Sequence, residues 1–314
     1  MSGRTRASHS LRRLVESYLL CCDTEGKSHD TLRWYRQKLD AFVSYVEQET
    51  PSPNLGHVNT DSVREFLSRL QSLGRTAFTT RGYVQVLKGF GTWLVEEGYV
   101  NRNPLGRLQL PKVPKYVVKP LSGDEVSALI RAMKPRSAAG TRDLALLLLL
   151  FDTGARLGEV AQLTMADADD AVRDGLFKVL GKGSRERYLP VGKAARDALR
   201  RYTQVYRPDA RADALFLGRN GRPLAREGLR QIIRRVASRA GVEGVHPHRL
   251  RHTFAVNYLI NGGDAMTLQR ILGHSTLEMV RNYVSFDHRA IQERHAIASP
   301  SDRFWDERGL RRTA

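Results

Sequence analysis

Cysteine is almost missing from this chain: only two occur in 314 residues, side by side at Cys21 and Cys22. Neighbouring cysteines seldom bridge and no third thiol is present, so no disulfide framework is expected and a reducing compartment fits. Long apolar runs are missing as well. The longest, Leu144 to Phe151, falls far short of the ~20 residues a membrane span needs and reads instead as a buried helix. The first residues, MSGRTRASHS, are basic and polar without the apolar stretch of a signal peptide, so the expected location is the cytoplasm. No fixed-period repeat or low-complexity tract is visible, which argues against solenoid and phase-separating architectures. Acidic residues are the other shortage. Lys plus Arg number 51 against 33 Asp plus Glu, a formal charge of +18. That balance favours a polyanion such as nucleic acid as partner while saying nothing about fold.

The chain is long enough for two domains, each able to bury a core. Apolar periodicity predicts helices over Leu11 to Cys21, Asp30 to Gln48, Thr60 to Leu73 and Phe78 to Glu97. Thr60 reads as an N-cap, and Gly74 and Gly98 sit where left-handed C-terminal caps need glycine. Pro104, Pro111, Pro114 and Pro120 then mark an extended joint, because proline lacks an amide donor and restricts the residue before it. Its Lys112, Lys115 and Lys119 are candidates to track a phosphate backbone, with plain solvation an equal alternative. Helices are expected again over Ser122 to Met133 and Arg142 to Phe151, with Asp124 and Glu125 placed for the positive end of the first. Gly175 to Leu180 and Arg185 to Val191 alternate as a hairpin around Gly-Lys-Gly-Ser. The expected class is mainly α with a small β-hairpin, an α+β fold.

Several positions carry chemistry. Arg156 follows Thr153 and Gly154, which break the apolar helix. Glu159, three residues on, can pair with it and hold its planar fork, a shape suited to phosphate. An isolated pair of this kind is more often a surface ion pair of little worth. Lys182 lies at the predicted hairpin tip between Gly181 and Gly183, where tight turning and close approach to a ligand are allowed. A nucleotide-binding phosphate loop fails there, since five residues separate Gly175 from Gly181 and glycine follows the lysine; a solvated lysine turn stays open. In His246-Pro247-His248-Arg249-Leu250-Arg251-His252, proline suits a first helical turn and puts His248 and Arg251 on one face. A metal site at His248 and His252 is the rival, but the glutamate of such sites is missing and no other ligand cluster appears. Met266, Leu268, Ile271 and Leu272 form an apolar face, Gly273 stops that helix, and Ser275 with Glu278 makes a capping box for the next. That next helix carries Tyr283, nine residues after His274. A helix-turn-helix DNA reader using Arg281 and Asn282 would show the same local pattern.

The segments TGARLGEV, VLGKGSRERYLPV, HPHRLRHTF and LGHSTLEMVRNYV follow one another over residues 153 to 284. In order and spacing they resemble the catalytic boxes of the tyrosine recombinase (phage integrase) family, of the Xer-like or small transposon and phage type. HRLRHTFA at 248 to 255 follows the family's H-x-L-R-H-[ST]-F-A, and the LGH-x(8)-Y spacing matches its nucleophile box. The resemblance implies Arg156, Lys182, His248, Arg251, His274 and Tyr283 as catalytic residues, Tyr283 being the nucleophile and Glu159 supporting. It implies a SAM-like helical core-binding domain that clamps DNA over 8–110, a linker over 111–120, a catalytic domain over 121–298 and a tail over 299–314. It further implies double-stranded DNA core sites as substrate, a 3′-phosphotyrosyl intermediate and four protomers on two sites, monomeric or dimeric when free. An accessory directionality protein is a possible partner, with no membrane partner, no cofactor and no metal, and a nucleoid-associated protein of a bacterium or archaeon is the expected setting. Arg249, Arg281, Lys112 and Lys115, with the helix around Arg226 to Arg239, are candidate DNA contacts, and a helix over Ala290 to Ile297 is expected to pack on a neighbouring protomer. The alternatives are a type IB topoisomerase-like enzyme and a non-catalytic helix-turn-helix regulator.

The charge predicts a steep salt response. Duplex-DNA affinity, measured by fluorescence anisotropy, is expected to fall about 10³–10⁵-fold between roughly 50 and 200 mM salt for about 6–10 neutralised phosphates. A flat response removes the polyanion reading.

Overall fold

Short polar side chains start most helices of the amino-terminal half. In the computed structural model, which describes residues 10–113, 118–181, 186–208, 212–273, 295–297 and 299–302, the chain divides into two compact units, Met1–Tyr116 and Val117–Ala314. The first contains α1 (Leu11–Thr24), α2 (His29–Glu49), α3 (Thr60–Ser72) and α4 (Ala77–Glu96). Ser28 caps α2 by accepting from the Thr31 amide, and Thr76 caps α4 by accepting from that of Thr79. The expected cap at Thr60 is corrected: Asn59 caps α3, its Oδ1 accepting from Asp61 N and Ser62 N at 3.0 Å each. Thr60 instead donates to the Pro104 carbonyl at 3.0 Å, pinning the first of the linker prolines. Gly74 and Gly98 adopt positive φ, 72° and 67°, just past α3 and α4.

Phe66 sits at the centre of this unit's core, with Phe42 and Tyr83 meeting it nearly edge-on at 5.5 and 5.3 Å between ring centres. Leu105 and Leu108 are buried in the same core, and Lys88 Nζ donates to the carbonyls of Gly106 and Leu108 at 3.0 Å. The stretch after Pro104 is therefore folded onto α4. The expected extended joint starts later than the first proline.

The second unit is built on α6 (Ala138–Thr153), whose Ala145, Leu146, Leu149 and Leu150 are almost wholly buried. It begins four residues before the predicted start because Ser137 caps it, accepting from the Gly140 amide at 3.2 Å. The preceding helix, α5 (Gly123–Arg131), opens with a capping box between Ser122 and Glu125. After α6 come α7 (Leu157–Val160), α8 (Met165–Asp174), the hairpin β1 (Leu176–Leu180) and β2 (Glu186–Pro190), and α9 (Lys193–Arg201), which runs into a π-helical turn, Tyr202–Tyr206. The hairpin is antiparallel with Leu176 opposite Pro190 and Leu180 opposite Glu186. Its pleat turns Phe177, Val179 and Leu189 into the core. Three helices follow: α10 (Arg226–Ala240), α11 (Pro247–Ile260) and α12 (Ala265–Leu272). Pro247 occupies the first turn of α11 and Gly273, at φ 62°, ends α12, both as expected. The mainly helical class with one small hairpin is thus observed, and no helix among the described residues is long and apolar enough to cross a membrane. The capping box at Ser275 and Glu278, and most of the expected helix over Ala290 to Ile297, lie outside the described residues.

Gly154 ends α6 at φ 59°. A Cβ there would collide with the Phe254 ring and approach Leu272 Cδ2 to 3.0 Å. Gly154→Ala is therefore expected to lose about 2–5 kcal/mol from left-handed strain and overpacking together. Thermal unfolding should register a clearly lower Tm, and an unchanged Tm would show that the α6 terminus relaxes freely.

Candidate active site

The break at Gly154 turns the chain so that Arg156 stands at the head of α7, and two bonds to the Glu159 carboxylate hold it there. Glu159 Oε2 accepts from the Arg156 amide at 2.8 Å, while Oε1 accepts from Arg156 Nη1 at 3.1 Å. The same carboxylate is gripped from β2. Arg187 Nη1 donates to Oε1 and Nη2 to Oε2, both at 2.8 Å, the parallel two-bond geometry that guanidinium and carboxylate favour. Glu159 is 7% exposed. Burial alone would raise its pKa, but the bonds from Arg187 and from the Arg156 amide outweigh that and hold it below the ordinary carboxylate value.

The α11 residues arrive from the opposite side. Arg251, 5% exposed, donates from Nη1 to the Gly154 carbonyl and from Nη2 to the Leu272 carbonyl, both at 2.6 Å. One side chain therefore links the end of α6, just before Arg156, to the end of α12, just before His274. His248 lies one turn earlier and is exposed. Partial desolvation, and then the charge of Arg251, lower its pKa, so the imidazole is neutral at pH 7. His252, one turn further along α11, is buried. Burial, then the nearby His248, lowers its pKa too, against a hydrogen bond with the Val118 backbone.

Arg156, Glu159, His248 and Arg251 line one cavity of about 890 Å³. Leu180 and Gly181, the last described residues before Lys182, lie on its wall, and α10 contributes Arg226, Arg230 and Arg234 at helical intervals of four. On α10 itself Glu227 pairs with Arg230 at 3.1 Å and Arg234 at 3.8 Å. Among the described residues, five arginines thus border a space whose one lining carboxylate is already bonded to two arginines. Such a surface is suited to an anionic group with several hydrogen-bond acceptors, such as a phosphodiester.

The structure brings together four of the seven residues expected at the site. Lys182, His274 and Tyr283 lie outside the described residues, as do Arg281 and Lys115. Lys112 is exposed on the amino-terminal unit. Arg249, expected at DNA, is committed elsewhere within its own unit. Its Nη2 donates to Glu125 Oε1 at 3.1 Å, Nη1 to the Glu243 carbonyl at 2.7 Å and Nε to the Lys119 carbonyl at 3.1 Å. It sits beside His248 in sequence but on a different face of α11, where it ties Lys119 and α5 to the helix. Arg187 was not anticipated. The signal was present: strand alternation puts Arg187 on the face of Leu189, and a charged residue pleated inward demands a partner.

Against this geometry, residues 119–289 match the model of the phage integrase family, and residues 15–98 match that of the phage integrase N-terminal SAM-like domain. The chain belongs to the phage integrase family. Among its relatives, tyrosine recombinase XerC of Staphylococcus carnosus is 32% identical over 295 residues, covering 92% of this chain and 98% of the relative. In fold the chain is similar to the Tn1549 transposon integrase in complex with transposon right end DNA, with a TM-score of 0.73 at 21% identity, covering 92% of this chain and 100% of that one. It is also similar to lambda integrase as a tetramer bound to a Holliday junction, with a TM-score of 0.70 at 18% identity, covering 89% of this chain and 80% of that one. As a tyrosine recombinase, this integrase-family protein is an enzyme of DNA cleavage and rejoining.

The double grip on Glu159 generates a pH-dependent stability. A carboxylate whose folded pKa is depressed stabilises fully above its unfolded value, 4.5, and loses that contribution as pH falls through the folded pKa. Glu159→Gln is expected to cost about 3–5 kcal/mol at neutral pH, because Arg187 keeps a buried charge without its counter-ion. Denaturant titrations of the two proteins should converge as pH drops below 4.5, and a gap independent of pH would contradict the ionised pair.

Proposed function

We propose that this integrase cleaves one strand of a duplex DNA core site with Tyr283 and later rejoins it, for Xer-like dimer resolution or for the movement of a small element. The observation that supports the reading best is the cavity shared by Arg156, His248 and Arg251, with Leu180 and Gly181, the residues just before Lys182, on its wall. In it a scissile phosphate would meet guanidinium groups from two helices. Arg156 and Arg251 stabilise the charge that builds on the non-bridging oxygens, and His274 adds a hydrogen bond. Tyr283 Oη attacks phosphorus, neutral His248 takes or shares its proton, and the bond from phosphorus to the 5′ oxygen breaks as Lys182 protonates that oxygen. The products are a 3′-phosphotyrosyl link and a 5′ hydroxyl. Because one phosphoester replaces another, attack by a hydroxyl in the reverse sense restores the duplex.

The basic amino-terminal unit would hold the duplex through its backbone, which sets register without reading bases. Four protomers on two sites, as in the lambda integrase tetramer on its junction, would exchange strands in two rounds. The protein would act in the cytoplasm on nucleoid DNA, and residues 8–110, 111–120, 121–298 and 299–314 would serve as clamp, linker, catalytic domain and tail. Lys112, Lys115 and Arg281 remain DNA contacts in this reading. Arg249 acts as a brace.

Nicked duplexes drawn from DNA flanking the encoding gene, which release a short fragment on cleavage, trap the covalent adduct. The native protein is expected to form it and Tyr283→Phe to bind the same duplex without forming it. Tight binding with no adduct from the native protein would favour a DNA-binding regulator, and adducts formed equally by Tyr283→Phe would move the nucleophile elsewhere.

A further inference from the structure

We infer that Arg187 is a positioning residue for the reaction proposed above, on which this inference rests: it sets Arg156 through Glu159 and the turn into His274 through Ile271 and Gly273. Its side chain is 11% exposed. Both terminal nitrogens bond Glu159 at 2.8 Å, and Nε donates to the Ile271 carbonyl at 2.7 Å. Gly273, the residue before His274, lies directly against the same guanidinium, so that a Cβ there would stand 3.1 Å from Arg187 Cδ and 3.2 Å from Nε. Arg187 is also the second residue of β2, the strand that follows Lys182 in sequence. One buried fork therefore bonds the short helix headed by Arg156 and the end of α12 before His274.

What this does to Arg156 follows from the shared carboxylate. Arg187 occupies both oxygens of Glu159, which leaves Arg156 a single side-chain bond to it, at 3.1 Å. The Arg156 side chain remains 42% exposed on the cavity. Without Arg187, Glu159 could turn both oxygens onto Arg156 and draw the guanidinium away from the phosphate. A group that must meet a phosphate within a fraction of an ångström is sensitive to such a shift. A lysine at 187 would keep the charge but not the fork.

The test uses the full-length protein and the nicked duplex on which it forms its adduct, with single-turnover rates measured beside DNA affinity and Tm. Arg187→Ala is expected to slow adduct formation roughly 10²-fold, with affinity altered less than about threefold. On a scissile methylphosphonate, which keeps one non-bridging oxygen and builds one negative charge less in the transition state, less is asked of Arg156 and the gap between variant and native rates should narrow to about threefold. Arg187→Lys, which keeps a cation beside Glu159 and guards against simple unfolding, should show a smaller deficit that also closes on the neutral substrate. Native rates in both variants overturn the inference. So does a deficit of equal size on charged and neutral phosphorus, or one that only follows the fall in Tm. If the native protein forms no adduct on any duplex, the Tyr283 reading falls first and takes this inference with it; an adduct that is indifferent to Arg187 removes only the inference.

Discussion

A buried carboxylate between two arginines is the constraint on which the rest of the cavity depends. Taking Glu159 out of water costs free energy that only close, well-aligned cations offset. Arg187 supplies two bonds and Arg156 a backbone and a side-chain bond. The need to satisfy the carboxylate thus draws β2 and α7 together and decides where Arg156 can point. A carboxylate beside a phosphate site would ordinarily repel the substrate. Here its charge is taken up within the protein, and the cavity is left with a strong excess of positive groups.

Arg251 plays the complementary part from α11. Its bonds to the Gly154 and Leu272 carbonyls neutralise the partial negative charge at the ends of α6 and α12. The residue that serves the phosphate in the proposed mechanism therefore also holds two of the chain breaks that frame the site. This economy explains why glycine stands at 154, where its φ of 59° and the Phe254 ring leave no room for a side chain. One side chain thus both holds two helix ends and lines the cavity.

Much of the architecture was legible along the chain. Apolar periodicity located α1, α2, α3 and α4 to within a few residues, because each helix buries one face and the pattern repeats every turn. Glu159 was paired with Arg156 and His248 was set beside Arg251 from spacing alone, since neighbours on a helix are three or four residues apart. The errors have equally local causes. Thr60 and Asn59 are adjacent residues with similar capping chemistry, and the choice fell to Asn59 once Pro104 claimed the Thr60 hydroxyl. Small residues around Gly140 hid the start of α6, where the cap at Ser137 outweighs weak propensity. Arg249 is a separate case: it reads as a DNA contact because it is an arginine between site residues, and its bonds to Glu125 and Lys119 are not visible in local spacing.

The sequence by itself determined the polyanionic preference, the two-part helical organisation and the order of the four boxes, all of which rest on composition or on interactions within a turn or two of backbone. Tertiary structure alone decided which charges meet. Arg187 finds Glu159 across 28 residues, Arg251 finds Gly154 across 97, and Arg249 finds Glu125 across 124. Contacts of that range depend on how helices pack and on which buried charge most needs a partner, and neither is written in any local pattern.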